Sequence, residues 1–449
     1  MEQNNRLKIC VHTLGCKVNQ YESELICEKF ASNGDEIVGE DEFADVYIIN
    51  TCTVTGTADK KSRQFIRRMK RINPEAVIVV TGCYAQVSKE EVEQIDEVDI
   101  VIGNNLKSTI YEKVHENYNK KKISGDKIVN VLNYSELSFY ENMGKNNNLN
   151  KSRSRAYIKI EDGCNRFCSY CMIPFARGPI RSRDKSDIIE EAKTLIENGV
   201  KEIVLTGINT ALYGFDFNSN VDYPLADLIR EINSINGDFR IRLSSLEPTV
   251  VDVNDVMNLV GYEKLCRHLH LSVQSGSNNV LQNMNRSYNV NDYINIVTAL
   301  KEFDPLYGIT TDIIVGFPSE TEKDFAESMS LVKDTEFCRI HAFKYSERNN
   351  TKAASLSGKI SEKIKNERIK KLINEGRKAS YNFIKKNTGT YHKLLTEERY
   401  GDYISGYTGN YIKTYVNDPE KKLKTDEFYE VKIEEVFKDG CLASLKVVE

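Results

Sequence analysis

Three cysteines stand close together in the segment EDGCNRFCSYCMIPFARG, which covers residues 161–178. Cys164, Cys168 and Cys171 follow the spacing C-x3-C-x2-C, with Tyr170 directly before the last of them and no fourth cysteine nearby. Cysteine thiolates bind zinc or iron–sulfur clusters, and a structural zinc site takes four closed ligands. Three thiolates on a cubane cluster leave one iron open. The spacing therefore favours a catalytic iron–sulfur centre over structural zinc with a distant fourth ligand.

Three further cysteines each follow a predicted strand. Cys16, Cys52 and Cys83 lie in TLGCKVNQ, NTCTVTG and TGCYAQ. In an open parallel sheet the carboxyl ends of the strands share one edge, so we expect a joint metal or cluster site there. The alternative is three separate buried thiols. The other cysteines fall inside helix or strand patterns and are predicted to be core residues, namely Cys10, Cys27, Cys266, Cys338 and Cys441.

The elements that position these thiols are predicted from alternating apolar runs and helical patterns. Residues 7–116 predict an open parallel α/β sheet, and six strand–helix units between 156 and about 345 predict a partial (β/α)6 barrel. Five short β-like runs after residue 389 predict a small all-β barrel. The expected boundaries are an N-terminal domain over 1–120, a linker over 121–150, the barrel over 151–360, a basic helical connector over 361–384, and the C-terminal domain over 385–449.

Composition limits the class of protein. The chain has 449 residues, 11 cysteines and a formal net charge of −4, with no apolar signal core and no run of 18 apolar residues. We therefore expect a cytoplasmic protein with no membrane partner. An odd number of cysteines without an export signal also disfavours disulfides.

Local basic blocks interrupt the mildly acidic chain. Residues 60–71 hold seven Lys or Arg and no acid, and residues 344–393 hold 14 Lys or Arg against four Glu. Such blocks suit phosphate contacts, although a solvated helix face is the more usual outcome. Tyr403, Tyr407 and Tyr411 could stack on bases, which favours an RNA partner.

The C-x3-C-x2-C segment after a barrel strand resembles the radical S-adenosylmethionine superfamily. Together with Cys16, Cys52, Cys83 and a C-terminal barrel that looks like the RNA-binding TRAM domain, nearly the whole chain resembles the methylthiotransferases. The resemblance implies two [4Fe–4S] clusters, each with one open iron. It implies that S-adenosylmethionine is both methyl donor and radical source, and that the N-terminal cluster carries the sulfur to be inserted. It also implies an electron donor, which the sequence does not identify.

The signatures TLGCKVNQYESE, EDGCNRFCSYCMIPFARG and GYTGNYIKTYV resemble the branch of this family that acts on tRNA threonylcarbamoyladenosine. The resemblance implies methylthiolation of C2 of that base beside the anticodon. Separately, we expect the chain to act as a monomer. The Tyr-Gly-Cys-Gln-Met-Asn pattern of the isopentenyladenosine branch is absent, and the branch that modifies a ribosomal-protein aspartate fits poorly. The alternative from another class is a non-enzymatic, metal-bearing RNA-binding scaffold.

The resemblance also suggests residues that contact S-adenosylmethionine. Besides Tyr170 they lie at predicted strand ends: Gly207 and Asn209 in LTGIN, Glu247 in SSLEP, Gln274 in SVQSG and Gly316 in VGFP. LTGIN departs from the Gly-Gly-Glu motif usual in the superfamily. Structural hydrogen bonds, and a plain turn at Gly316, are the alternatives.

Two arginines and two asparagines complete the predicted site. The threonylcarbamoyl group carries a carboxylate, and Arg177 and Arg181 are near enough to the cysteines in sequence to face it; salt bridges to barrel acids are the alternative. Asn349 and Asn350 replace Pro and Gly of a family stretch that reads Arg-Pro-Gly-Thr. We expect a different turn there, although Asn tolerates positive φ.

Overall fold

The computed structural model describes residues 6–53, 56–124, 127–147, 154–217, 223–248 and 252–446. The chain divides into two compact units. The first comprises residues 1–149, 159–183 and 346–354, and the second comprises 150–158, 184–345 and 355–449. The predicted linker falls partly on residues 125–126 and 148–150, which lie outside the described ranges.

A six-stranded parallel sheet forms the centre of the first unit, in the order β2-β1-β3-β4-β5-β6. Its strands are β1 (Lys8–Thr13), β2 (Glu36–Ile37), β3 (Val46–Thr51), β4 (Val77–Gly82), β5 (Ile100–Ile102) and β6 (Ile128–Asn130). β3 and β4 are buried along their whole length, as expected for apolar strands covered on both faces. The short strand predicted in IVNVLN is confirmed, and it forms the edge of this sheet.

Helices cover both faces of the sheet. They are α1 (Lys17–Ser32), α2 (Gly56–Ile72), α3 (Cys83–Val87), α4 (Lys89–Glu93) and α5 (Ile110–Ser124), with a 3-10 helix at Asn104–Thr109. Tyr47 and Ile49 of β3 join the core under α2, whereas Val46 and Ile48 join the core under α1 and α5. This period of two places one apolar layer on each face of the sheet.

The second unit contains the partial barrel predicted from six strand–helix repeats. β7 (Arg155–Lys159) is followed in the chain by β8 (Glu161–Asp162), α6 (Ile173–Arg177) and β9 (Arg181–Ser182). These three elements belong to the first unit, and β8 pairs with β9. The barrel strands that follow are β10 (Glu202–Thr206), β11 (Arg240–Leu243), β12 (Ser245–Leu246), β13 (His268–Leu271), β14 (Gly308–Val315) and β15 (Arg339–Lys344). They form the sheets β11-β10-β7 and β12-β13-β14-β15.

Helices alternate with these strands. They are α7 (Lys185–Glu197), α8 (Pro224–Asn233), α9 (Val253–Val260), α10 (Asn278–Asn283), α11 (Val290–Phe303) and α12 (Glu322–Thr335). Ser244 separates β11 from β12, so the single strand predicted at FRIRLSS is interrupted.

The C-terminal part of the second unit is a long helix followed by a closed five-stranded barrel, as predicted. The helix is α13 (Glu362–Lys386), and the strands are β16 (Tyr391–Tyr400), β17 (Tyr403–Thr408), β18 (Lys413–Asn417), β19 (Phe428–Phe437) and β20 (Gly440–Leu445). The barrel closes in the order β16-β17-β18-β20-β19. Among the residues described, no helix combines the length and apolar character needed to span a bilayer.

Candidate active site

Cys16, Cys52 and Cys83 lie at the carboxyl ends of three neighbouring strands. Cys16 immediately precedes α1, Cys52 directly follows β3, and Cys83 begins α3 directly after β4. Because β1, β3 and β4 are adjacent in the sheet, all three thiols share one edge, as the sequence indicated. Cys16 is exposed, whereas Cys52 and Cys83 are buried.

Close backbone packing shapes this edge. The side-chain amide of Asn19 donates to the carbonyls of Leu14 (2.8 Å) and Thr51 (2.9 Å), which ties the loop after β1 to the end of β3. Gly82 has φ of +95°, and a Cβ there would lie 2.3 Å from the Thr51 oxygen, so only glycine fits directly before Cys83. The thiols therefore project from a tightly fixed rim.

Cys164, Cys168 and Cys171 lie on one loop between β8 and α6. The Cys164 amide donates to the carbonyl of Gly178 (3.1 Å), and the Cys171 amide donates to that of Cys168 (2.9 Å). The Ile173 amide lies 3.4 Å from the Cys171 sulfur and donates to it. All three cysteines are half-buried, so their sulfurs are sheltered yet reachable. Tyr170 is half-buried between the last two of them.

Neither trio forms a site for a single metal ion in this structure: across the described ranges, no three His, Cys, Asp or Glu side chains are close enough to hold one. A cubane cluster binds each thiolate through a different iron, so three thiolates leave one iron without a protein ligand. Each trio supplies that number of thiols.

The remaining cysteines pack in the interior, as predicted. Cys10, Cys266, Cys338 and Cys441 are buried, and Cys27 is partly buried. Burial raises the pKa of Cys10 and of Cys338 to about 12, so both stay protonated at neutral pH and are poor ligands.

A network of buried ion pairs lies in the first unit, close to both cysteine trios. Arg177 donates to Glu22 and Asp162, both at 2.9 Å, and Lys159 donates to the same two carboxylates at 2.9 and 3.2 Å. Lys107 also pairs with Glu22. Burial alone would raise the pKa of Glu22, but the charges of Arg177, Lys107 and Lys159 outweigh it and hold that pKa well below its usual range.

This network corrects one sequence-based hypothesis. Arg177 was a candidate to face a substrate carboxylate, yet its side chain is fully buried against Glu22 and Asp162. Arg181 is buried as well and donates to the carbonyls of Leu137 (3.1 Å) and Arg177 (2.7 Å). Both arginines are bound inside the first unit, to Glu22, Asp162 and backbone carbonyls, and not to any described acid of the barrel, which was the alternative interpretation.

The strand-end residues predicted to contact a cofactor follow four parallel strands of the second unit. Gly207 and Asn209 follow β10, Glu247 follows β12, Gln274 follows β13 and Gly316 follows β14. Asn209 donates to Glu247 at 2.7 Å, and Arg286 pairs with the other oxygen of the Glu247 carboxylate. Gly316 forms a turn with φ of +74°, and its amide donates to Glu320 at 2.7 Å.

The sequence analysis did not predict a cluster of polar side chains on β13, on β14 and directly after β13. His270 lies 3.1 Å from the Asp312 carboxylate and 2.9 Å from the Thr310 hydroxyl, and Ser272 donates to Asp312 at 2.9 Å. Burial would raise the pKa of Asp312, but the hydrogen bonds with His270 and Ser272, together with the nearby charges of His270 and His341, lower that pKa. The signal was present in HLHLS, where a polar residue recurs at every second position of a strand.

Two of the three tyrosines proposed to stack on bases are engaged inside the second unit. Tyr407 and Tyr411 stack on each other at 5.0 Å, with Arg155 over the first ring and Arg242 over the second. Their ring faces are thus occupied within the unit, and base stacking by this half-buried pair stays a prediction. Tyr403 instead packs beside Phe437 at 5.3 Å, with Lys438 5.1 Å from its ring.

The basic blocks are partly paired. On α2, Arg63 donates to Tyr84 at 2.8 Å and Arg68 pairs with Asp41. On α13, Arg368 is buried and pairs with Glu320 and Glu322 at 2.5 and 2.6 Å. Part of each block thus contributes to folding.

A partial barrel and a half-buried C-x3-C-x2-C loop define a radical S-adenosylmethionine enzyme, here with a second cysteine trio. The model of the "Radical SAM superfamily" matches residues 158–332, and that of "Uncharacterized protein family UPF0004" matches residues 8–103. The solved structure of the radical S-adenosylmethionine methyltransferase TsrM from Kitasatospora setae shares the fold, with a TM-score of 0.56 and 13% identity over 78% of this chain and 77% of that one.

The curated relatives narrow the class. Threonylcarbamoyladenosine tRNA methylthiotransferase MtaB of Bacillus subtilis is 40% identical over 92% of this chain and 91% of its own length, and MtaB of Thermotoga maritima is 37% identical over 96% of both. tRNA-2-methylthio-N(6)-dimethylallyladenosine synthase of Clostridium tetani is 36% identical over 88% of this chain and 86% of its own length. The chain belongs to the radical S-adenosylmethionine methylthiotransferase family. Its cofactors are [4Fe–4S] clusters and S-adenosylmethionine.

Proposed function

We propose that this chain methylthiolates C2 of N6-threonylcarbamoyladenosine beside the anticodon of tRNA, acting in the cytoplasm. The observation that carries the proposal is the presence of two cysteine trios together with MtaB relatives that are 37–40% identical over most of the chain. The signature TLGCKVNQYESE supports the threonylcarbamoyl branch. The dimethylallyladenosine synthase at 36% identity makes that base the second candidate.

The six thiols would hold the cofactors. Cys164, Cys168 and Cys171 would bind the cluster that takes S-adenosylmethionine on its open iron, and the other trio would bind the cluster that receives sulfur. When bound, the two groups supply one-electron cleavage of S-adenosylmethionine and a methylated sulfur for transfer. Cys164, Cys168 and Cys171 are half-buried, which limits solvent access to the cluster they would hold.

Side chains at the strand ends would orient S-adenosylmethionine. Asn209, fixed by its hydrogen bond to Glu247, offers an amide oxygen, and Gln274 has a left-handed backbone with φ of 67° in the loop after β13. Arg286 holds Glu247 in turn. These contacts stabilise one arrangement of polar groups before the cofactor arrives, which lowers the entropic cost of binding.

The experiment is nucleoside mass spectrometry of tRNA from a strain that lacks this chain, complemented with the wild type or with single Cys→Ala variants. We expect 2-methylthio-N6-threonylcarbamoyladenosine to return with the wild type and to stay absent with Cys16→Ala or Cys164→Ala. Cys27→Ala, which changes a partly buried cysteine outside both trios, is the matched control and should restore the product. Loss of only the dimethylallyl derivative in the deletion strain would instead establish the second candidate.

A further inference from the structure

Helix α6 joins the two cysteine trios. Its first residue, Ile173, donates its amide to the sulfur of Cys171 at 3.4 Å. Its last residue, Arg177, donates to the side-chain oxygen of Asn19 at 2.6 Å, and the Cys16 sulfur lies 4.0 Å from that same oxygen. One short helix thus contacts Cys171 of the C-x3-C-x2-C trio at one end. At the other end it contacts Asn19, which lies beside Cys16 of the N-terminal trio.

A second connection leads to Cys83. The side-chain amide of Asn104 donates to the carbonyl of Ala176 at 2.7 Å and lies 3.5 Å from the Cys83 sulfur. Lys107 donates to the oxygen of the same amide at 2.7 Å, which fixes its orientation. The penultimate residue of α6 is therefore held against the edge that carries Cys83.

Buried charges of both signs surround α6. Lys107, Lys159, Arg177 and Arg181 lie among the carboxylates of Glu22, Asp162 and Glu141, and all of these side chains are at least nine-tenths buried. Arg177 donates to the Asn19 oxygen that lies 4.0 Å from the Cys16 sulfur, so its positive charge is close to the first thiol of the N-terminal trio. A buried cation is stabilised by a nearby anionic group, and a cluster held by three thiolates is such a group.

We propose that Arg177 is a positioning residue that holds the two cysteine trios in a fixed relation and stabilises the reduced N-terminal cluster with its charge. The inference rests on the proposed function of the six cysteines. Arg177 is suited to both roles because its planar guanidinium group donates to Asn19, Glu22 and Asp162 at once. The compact ammonium group of a lysine lacks this spread of donors. A neighbouring positive charge favours the more negative, reduced state of a cluster, so its loss should lower the reduction potential.

The test uses the full chain with Cys164, Cys168 and Cys171 replaced by Ala, so that only the N-terminal trio is loaded. Midpoint potentials are measured by spectroelectrochemical titration, without tRNA, in this background and with Arg177→Met, Arg177→Lys or Asn104→Ala added. Arg183→Met is the matched control, since Arg183 is also buried but donates to Tyr21 at 3.0 Å. Iron content, about four per chain for one cubane, and circular dichroism verify loading and folding.

We expect Arg177→Met and Asn104→Ala to shift the potential to more negative values, Arg177→Lys to shift it less, and Arg183→Met to leave it unchanged. With all six cysteines restored, the magnetic coupling between the two reduced clusters should change in Arg177→Met. Unchanged potential and coupling in a folded, loaded Arg177→Met protein would overturn the inference. If that variant does not fold, Arg177→Lys, which keeps the charge but loses the guanidinium contacts with Asn19, Glu22 and Asp162, should still change the magnetic coupling, and unchanged coupling in that variant overturns the inference instead. Absence of modified tRNA with the wild type would contradict only the proposed function.

Discussion

At the scale of single residues, the chemistry depends on how the backbone presents each thiol. Gly163 directly precedes Cys164 and has φ of +83°, and a Cβ there would lie 2.0 Å from the carbonyl oxygen of Pro179. Gly163→Ala must therefore displace the backbone at the first cysteine of its trio. We expect that variant to bind less iron at the trio of Cys164, Cys168 and Cys171, while the N-terminal trio binds its normal amount. The measurement is iron content per chain in variants that keep only one of the two trios.

Gly199→Ala provides the control for this glycine prediction. Gly199 has a similar φ of +86°, but a Cβ there would meet no other atom within 4 Å. The substitution should cost about 1–2 kcal/mol of folding stability through the left-handed backbone alone. Its iron content should equal that of the wild type. Equal iron content in Gly163→Ala would contradict the argument from steric contact.

At the scale of helices and strands, Glu202 connects three neighbouring strands of the second unit. Its buried carboxylate pairs with Arg240 and Arg242 of β11 at 2.5 and 2.9 Å, and Arg155 of β7 lies 3.7 Å away. Glu202→Leu would leave buried guanidinium groups without their central partner. We expect a loss of about 3–5 kcal/mol in the free energy of unfolding, measured by urea titration.

A surface pair gives the comparison for Glu202. Lys201, the preceding residue, pairs with the half-exposed Glu427 at 4.0 Å. Glu427→Gln should change the free energy of unfolding by less than about 1 kcal/mol, because exposed ion pairs contribute little. Similar urea midpoints for both variants would mean that the buried cluster does not stabilise the strands.

The elements themselves were largely predictable, and their ionic partners were not. Strands such as VYIINT and VIVVTG are short, continuous apolar runs, and the five C-terminal runs are separated by turn residues, so run length and turn signals located them. α3 spans only Cys83–Val87, too short for a helical period to show. Glu22 and Arg177 are 155 residues apart, and charge carries no period that would pair them. Sequence reasoning therefore placed the thiols but misassigned Arg177.

At the scale of the whole molecule, the proposed function requires a chain with a net charge of −4 to bind tRNA through local positive surfaces. We expect one contact on the C-terminal barrel, where the Lys438 ammonium is 4.4 Å from the ring of Tyr400 and 5.0 Å from that of Phe437. The Tyr400 side chain is 63% exposed. An exposed ring beside a cation suits a base stacked next to its phosphate.

We expect Lys438→Glu to weaken tRNA binding and to reduce the slope of log Kd against log salt concentration by about 1, the contribution of one phosphate contact. Tyr400→Ala should weaken binding by about 1–3 kcal/mol without changing that slope, because stacking is not electrostatic. Lys323→Glu is the matched control: this lysine is 87% exposed on α12 and lies in the same unit. Filter binding between 50 and 200 mM salt, roughly the range over which such contacts are resolved, separates the two effects. Equal slopes for Lys438→Glu and Lys323→Glu would show that the barrel surface does not contact phosphate, and tRNA would then have to bind through another basic face such as that of α2.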